Sequence, residues 1–517
     1  MVEYKVLVTT SGIGSRLGEL TNYTNKCLVR VGKKPAISYI IESYPKETQF
    51  VITCGYYGQQ VKDFLSLAYP EINFTFVDID NYSGAGSSLG YSMIQAKEYL
   101  QCPFIFHAAD TIVEEPIPEP TINWIAYSKK ENYSQYRTID LVNPKIFEKG
   151  HIGSNLAYIG LCGIKDYELF WNCLMNEYNR DTNDGSLSDC HAINKMIDKK
   201  WKFVKYNTWY DIGNVSELNI TRQSISDKFH ILDKVDESIY LFDDFIIKFF
   251  YDKEICQNRV KRCEILGNLT PNILGYTDNF YKYSKVEGDL LSEIVDEKIF
   301  GDFLKWSVDN LWIKQNSNYD FANKVNDFYF KKTQSRLDKF FQKNNLKDEP
   351  ETINGFSVPT INEMVSSISR DWLCRVYPYQ YHGDFILDNI IYTQDKKFKL
   401  IDWRQDFSGE LENGDMYYDL AKLNHNLLFN HEIITSGNFS VEVLDNSTIR
   451  FDILRSDILT NCRDILHQFI VEYELDLKKV KLLTAIIWLN MAPLHEPKIG
   501  RLLYYLGKLN LYKVLYD

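Results

Sequence analysis

A short apolar run, Val6-Leu7-Val8, breaks directly into the glycine turn Gly12-Ile-Gly-Ser-Arg16. Strand-like and helix-like segments then alternate as far as Ser226. Lys5–Thr9, Phe50–Cys54, Asn73–Val77 and Phe104–His107 read as strands. Ala36–Ser43, Gln59–Ala68 and Val215–Ser226 read as helices. Short apolar strands separated by helices can bury both sheet faces only by crossing over, so the pattern predicts an α/β domain with a largely parallel sheet.

The pattern changes near residue 230. Ile239–Phe242 and Phe245–Phe250 flank Asp243-Asp244, which predicts a β-hairpin. A helix over Glu254–Leu266 and a strand pair ending near Val286 follow. Beyond Gly288 the spacing is mostly helical, over Lys298–Gln315, Asn323–Gln342 and Ile361–Val376. The expected division is 1–228, an α/β domain, and 229–517, a small β-rich lobe followed by a large helical one (α+β).

The 517 residues are enough for two or three cores. A net charge of -12 argues against a general nucleic-acid binder, which needs surplus Lys and Arg against phosphate backbones. Met1 to Thr10 lacks a charged-then-apolar leader, and no run reaches the roughly 20 apolar residues of a membrane helix. The ten cysteines are scattered without a C-x-x-C pair, which favours reduced thiols. The expectation is a cytoplasmic protein without membrane insertion; self-association into a homo-oligomer is left open.

A strand that ends in a glycine turn exposes backbone N–H groups to an anion, and Gly12 and Gly14 let phosphates approach closely. Arg16 adds a charged fork, and Lys26 follows in Thr24-Asn-Lys-Cys-Leu-Val-Arg-Val31. Gly84-Ala-Gly-Ser-Ser-Leu89 is a second small-residue loop. Asp110 ends an apolar strand, and Asp211 lies in Trp209-Tyr-Asp-Ile-Gly213. Each has a plainer reading as a turn, a cap or a solvated charge.

In this order the residues resemble the nucleotidyltransferases that make nucleoside-diphosphate sugars and CDP-choline-type compounds, a Rossmann-like family. The resemblance covers about 1–220. It implies that Gly12, Gly14, Ser15 and Arg16 hold a triphosphate, with Gly84 and Ser87 in the nucleotide loop. It implies that Lys26 and Arg16 neutralise charge where the phosphoanhydride forms, and that Asp110 and Asp211 hold Mg²⁺. Asn25 stands where the family usually has Pro. Glu148-Lys149-Gly150 matches the sugar enzymes' E-K-P in part, so Lys149 is either an acceptor-phosphate ligand or a surface lysine.

Downstream stand His382-Gly-Asp384, Asn389 and Ile401-Asp402-Trp403. A positioned Asp can take an alcohol proton while an Asn and a strand-end Asp hold metal on ATP. Ile390–Tyr392 and Phe398–Ile401 predict the strand pair that brings Asp402 beside that loop. The set resembles the choline kinase and aminoglycoside phosphotransferase family over about 230–517, which implies a bilobal, protein-kinase-like fold. It implies Asp384 as catalytic base and Asn389 and Asp402 as Mg²⁺ ligands. Lys248 would be the ATP-phosphate lysine, Glu264 its ion-pair partner, Tyr281–Val286 the hinge, and Asp415 with Tyr418–Ala421 the brace of the catalytic loop. No glycine-rich loop precedes Lys248, and His382 reads as structural.

The acceptor is open at this level. Trp403, Trp488, Tyr504 and Tyr505 could surround a quaternary ammonium or belong to the core. Asp406, Glu410, Glu412 and His495 could meet amines or hydroxyls. The leading expectation is a bifunctional enzyme that phosphorylates an amino alcohol, polyol or sugar with ATP and couples the monoester to an NTP, with CTP favoured, for surface polysaccharide or lipid decoration. The alternatives are a sugar kinase fused to a uridylyl-, guanylyl- or thymidylyltransferase, and a nucleotide-sensing regulator with one active domain.

Overall fold

The structure is a computed structural model that describes residues 4–151, 153–225, 234–316, 321–445 and 447–517. The expected boundary at 228–229 lies outside the described residues. The chain packs as two compact units, Met1–Lys253 with Leu274–Tyr283, and Glu254–Ile273 with Ser284–Asp517.

The first unit is built on a nine-stranded sheet whose spine runs 202–205, 124–129, 156–164, 104–108, 5–9, 49–54, 73–78. Lys5–Thr9 pairs in parallel with Gln49–Cys54 on one side and Phe104–Ala108 on the other. Leu156–Ile164 runs antiparallel to both its neighbours, so the sheet is mostly parallel rather than wholly so. Val6, Leu7 and Val8 are completely buried, as a strand covered on both faces requires. The chain builds outward from the first strand in one direction and then returns to its other side. The loops leaving residues 9 and 108 therefore diverge at the carboxyl ends of adjacent strands, where α/β sheets open a crevice.

The expected hairpin forms as Glu237–Leu241 against Phe245–Phe250, within a four-stranded sheet completed by Phe280–Ser284 and Ile273–Tyr276. This small sheet shares a core with the α/β part. Tyr240, Phe242, Ile247, Phe249 and Phe280 bury against Phe64 and Leu65 of the Gly58–Ala68 helix and Tyr69 just past its end. The Tyr240 hydroxyl donates to the Leu28 carbonyl at 2.7 Å, and Lys282 donates to the Leu67 carbonyl at 3.0 Å.

The second unit is largely helical around a three-stranded sheet, Gly288–Leu290, Ile390–Thr393 and Phe398–Leu400. The helix expected over Lys298–Gln315 ends at Asn310. The one expected over Ile361–Val376 is split, because Ser369 caps a fresh turn at Trp372. A second small sheet, 356–358, 351–353, 448–453, 439–443, was not anticipated. Buried Lys508 binds it to the Pro497–Tyr516 helix through Glu351 at 2.5 Å.

Candidate functional site

In the first unit a cavity of about 380 Å³ opens at the ends of the first and fourth strands. Gly12, Gly14, Ser15, Arg16, Lys26, Ser87 and Asp110 all line it. Gly84 stands behind Ser87 and accepts both its backbone N–H and its hydroxyl. Gly14 has φ +72°, and a Cβ there would lie 2.8 Å from Cβ of Lys26. A side chain would thus meet both a strained backbone and the neighbouring lysine.

Asn25 does more than replace a proline. It is fully buried, and its amide nitrogen donates to the carbonyls of Thr10 and Tyr56 at 2.8 and 2.5 Å. Its amide oxygen accepts the Cys27 backbone N–H. One side chain therefore ties the glycine loop, the 54–57 turn and the Lys26 turn together.

Lys26 Nζ reaches Asp110 Oδ2 at 2.5 Å. Burial pushes the Asp110 carboxyl up, and the ammonium of Lys26 outweighs it, holding the group below its ordinary value. Asp110 immediately precedes Thr111–Val113, which pairs antiparallel with Trp209–Asp211; the Ile212 N–H donates to the Asp110 carbonyl. That ladder brings Asp211 beside Asp110. Asp211 is nearly buried and accepts from the Gly213 N–H at 2.7 Å and the Tyr136 hydroxyl at 3.0 Å. Burial, and then the like charge of Asp110, pushes its carboxyl up. Two crowded carboxylates beside the glycine-loop cavity form the donor set that Mg²⁺ takes together with phosphate oxygens. Among the described residues no group of three or more His, Cys, Asp or Glu forms a metal cage by itself.

A second cavity, about 160 Å³, adjoins the first and shares Arg16, Leu89, Phe106, Ala108 and Asp110 with it. It is lined by Asp211, Lys149, Arg137, Tyr136, Tyr158, Asp189 and Trp209 among others. Lys149 belongs to this wall, and burial followed by Arg16 and Arg137 lowers its ammonium. Arg137, Tyr136 and Tyr158 carried no motif in the sequence. Arg137 sits just before a three-residue strand, too short for a periodic signal.

In the second unit His382, Gly383, Asp384, Asn389 and Asp402 come together. The Asn389 amide donates to the Asp384 carbonyl at 2.8 Å and to its Oδ2 at 3.2 Å. Asp402 follows the Phe398–Leu400 strand with φ +55°, a strained value for a non-glycine residue, and Arg259 Nη1 holds its Oδ1 at 2.5 Å. His382 is buried, and burial lowers it to about 4. It is therefore neutral, accepting the Asp384 N–H at Nδ1 and donating from Nε2 to the Ile401 carbonyl. Asp419 accepts the N–H groups of His382 and Gly383 at 2.8 and 2.7 Å, so it is the brace of the loop. Asp415 instead caps the Met416–Asn426 helix.

Lys422, one turn beyond Asp419, was not singled out in the sequence. Its Nζ lies 2.7 Å from Asp384 Oδ1. Burial raises the Asp384 carboxyl, and Lys422 outweighs this and holds it below the ordinary carboxylate range. The Asn389 and Asp402 side chains carry oxygen donors of the kind that Mg²⁺ takes.

Lys248 is buried on the Phe245–Phe250 strand, opposite Ile239. Glu264 is exposed on the Lys253–Leu266 helix and takes no part in the bonds above; Arg259 and Arg262 of that helix do the inward work. Arg262, wholly buried, donates to the carbonyls of Arg404, Leu411 and Tyr381. Trp403, Tyr504 and Tyr505 are buried core; the Trp403 indole donates to the Arg259 carbonyl and Tyr504 stacks on Phe340.

No family model matches the chain. In its N-terminal region the chain resembles nucleotidyltransferases. It is 23% identical over 225 residues to the bifunctional protein GlmU of Methanococcus vannielii, covering 40% of this chain and 51% of that protein. It is 30% identical over 109 residues to the choline-phosphate cytidylyltransferase of Streptococcus pneumoniae, covering 20% of this chain and 44% of that protein. The chain thus spans about half the length of the curated relatives it matches. Among solved structures, the CTP:phosphocholine cytidylyltransferase of Streptococcus pneumoniae is 19% identical with a TM-score of 0.37, over 43% of this chain and 100% of that one.

Proposed function

We propose that the chain is a bifunctional cytoplasmic enzyme. Its first activity joins a phosphate monoester to an NTP, and its second makes that monoester from an alcohol and ATP. The observation that carries the reading is the wall shared by two cavities: Asp110 and Arg16 stand between a glycine-loop pocket and a pocket lined by Lys149 and Arg137. Such a wall suits a reaction that brings two phosphates into contact.

In the first reaction a monoester oxygen attacks the α-phosphorus of the NTP, and the bond to the departing pyrophosphate breaks. The N–H groups of Gly12 to Ser15 hold the triphosphate; Lys26 and Arg16 offset the charge gathered at the α-phosphorus. Lys149 and Arg137 hold the monoester. Mg²⁺ on Asp110 and Asp211 would shield the opposing anions and polarise the α-phosphate. CTP is the favoured NTP, on the likeness to a choline-phosphate cytidylyltransferase; UTP, GTP or dTTP with a sugar 1-phosphate is the alternative.

The kinase half, residues 229–517 in functional terms, is supported by the Asp384, Asn389 and Asp402 cluster. Asp384 takes the proton of the acceptor hydroxyl as its oxygen attacks the γ-phosphorus of ATP. Asn389 and Asp402 would hold Mg²⁺ on the ATP phosphates. The product, a nucleotide-activated donor, would serve the decoration of a surface polysaccharide or lipid.

Purified full chain with Mg²⁺, ATP and CTP, screened by mass spectrometry against amino alcohols, polyols, their phosphates and sugars, tests the proposal. A CDP-linked product that requires both nucleotides is expected. A phosphorylated acceptor never coupled to any NTP would overturn the first activity. Coupling only of a supplied monoester would overturn the second, leaving the single-activity regulator.

A further inference from the structure

Lys422, Arg404, Lys332 and Arg336 form one cluster of cations that reaches Asp384 through Lys422. Lys422 lies on the carboxylate itself, 2.7 Å from Oδ1. Arg404 packs against the residue before it: a Cβ on Gly383 would lie 2.6 Å from Cβ of Arg404, and Gly383 has φ +86°. The Arg404 guanidinium and the Lys332 ammonium share the ring of Phe328, at 5.0 and 4.3 Å from its centroid. Lys332 also stands 5.9 Å from the ring of Tyr418, one helical turn before Lys422. Arg336 follows one turn along the Lys332–Asn344 helix.

All four cations are half-buried. The nearby acids are Asp384, already engaged by Lys422, Asp402, held by Arg259, and Asp406, whose Oδ1 takes the Gly409 N–H. Among the described residues Lys332, Arg336 and Arg404 make no ion pair. The mutual repulsion is felt: burial, then Arg404, Arg336 and Lys422, holds the Lys332 ammonium well below its ordinary value. Burial, then Arg404, lowers Arg336 as well. Desolvated like charges held together without counter-charge cost stability, and an anion between them removes that cost.

Resting on the kinase reading above, we propose that Lys332, Arg336 and Arg404 bind an anionic group carried by the acceptor, so that the alcohol phosphorylated is a hydroxy acid or a polyol phosphate rather than choline, ethanolamine or a neutral sugar. The anionic end would sit among these cations, and the hydroxyl would point to Asp384. The acceptor oxygen forms its bond to the γ-phosphorus, the bond from that phosphorus to the β,γ-bridging oxygen breaks, ADP leaves, and the hydroxyl proton passes to Asp384. Of the aromatic candidates for an ammonium cage, Trp403, Tyr504 and Tyr505 are spent in the core and Trp488 is buried against His425.

The test uses full-length protein and acceptors matched in all but charge: glycerate, glycerol 3-phosphate and glycerol; ribonate, ribitol 5-phosphate and ribitol; and choline. Binding is followed by calorimetry and phosphoryl transfer by ADP release, with Lys332→Met and Arg336→Gln as variants. The expected result is binding of at least one anionic acceptor, weakened tenfold or more in both variants, with KM for that acceptor rising and KM for ATP moving less than threefold. The carboxylate and phosphate arms separate the two sources of charge. Tighter binding of choline or a neutral polyol, no anionic binding, or a variant effect on ATP alone would each overturn the inference. An anionic acceptor that binds through these cations but is never phosphorylated would sustain the anion site and remove the kinase reading instead.

Discussion

At the scale of single residues, each cluster sets one carboxylate against an ammonium, and the first crowds a second carboxylate beside it. Lys26 holds Asp110 down and Lys422 holds Asp384 down, while burial and Asp110 push Asp211 up. Asp110→Asn is expected to lower nucleotidyl transfer by about 10²-fold or more, the scale of removing one preorganised electrostatic group, while ATP-dependent phosphorylation persists. Asp384→Asn should do the reverse, read in separate assays with supplied monoester and with ATP alone. Retention of both activities in either variant would sink the assignment. The pH dependence carries its own sign. Asp384 must be ionised to take a proton, and Lys422 keeps it ionised to lower pH than an ordinary carboxylate. Lys422→Met should therefore shift the acid limb of phosphoryl transfer to higher pH, whereas loss of rate without a shift would mean that Lys422 acts only on the acceptor. Asn25 shows what sequence reading missed. Its type was visible, but its three bonds to Thr10, Tyr56 and Cys27 join segments far apart in the chain. Asn25→Ala strands buried carbonyls, at about 1–3 kcal/mol each at most. It should lower the unfolding midpoint and, because Lys26 loses its anchor, lower transfer kcat more than nucleotide binding.

At the scale of elements, strands and motifs were legible because their signals are local. Lys5–Thr9, Gln49–Cys54 and the hairpin about Asp243-Asp244 stand within a residue or two of where their apolar runs put them. What failed to show were elements too short for a period, such as Glu351–Ile353 and Thr138–Asp140, and breaks set by a single cap, as at Ser369. The candidate site residues followed the same rule. Motif-bearing ones such as Arg16, Lys26 and Asp384 were visible. Arg137, Lys332 and Lys422 became meaningful only when packing set them beside those motifs. The pairing of Lys248 with Glu264 rested on the kinase resemblance; Glu264 is exposed, and Arg259 and Arg262 of its helix make the bonds to Asp402 and to the 381–411 carbonyls. Gly383 offers a test at this scale. Its φ is +86° and Arg404 fills the space a Cβ would need. Gly383→Ala should disturb the 382–389 loop and cut phosphoryl transfer by tenfold or more while nucleotidyl transfer with supplied monoester stays near wild type.

At the scale of the whole molecule, the packing of the chain and its proposed chemistry divide at different points. Sequence character changes near residue 230, and the proposed activities divide there. The sheet made by 237–250 and 273–284 nonetheless shares its core with the α/β part, through Phe64, Leu65 and Tyr69. A change in periodicity marks where one kind of element gives way to another; it carries no information about which faces will meet, because that depends on apolar surface left on the Gly58–Ala68 helix. Burying an aromatic side chain of this size contributes about 3 kcal/mol, so the shared core is a substantial part of what stabilises the first unit. A fragment ending at residue 228 would leave Phe64 and Tyr69 without the cover of Tyr240, Phe242 and Phe280. It is expected to melt well below the full chain's first transition, by 10 °C or more on the scale of several kcal/mol lost, and to aggregate. Phe64→Ala in the full chain, at about 3–5 kcal/mol for a truncated core aromatic, should lower that same transition. Calorimetry of both settles the matter: a 1–228 fragment as stable as the first transition of the intact protein would mean that the small sheet contributes nothing to the fold of the α/β part.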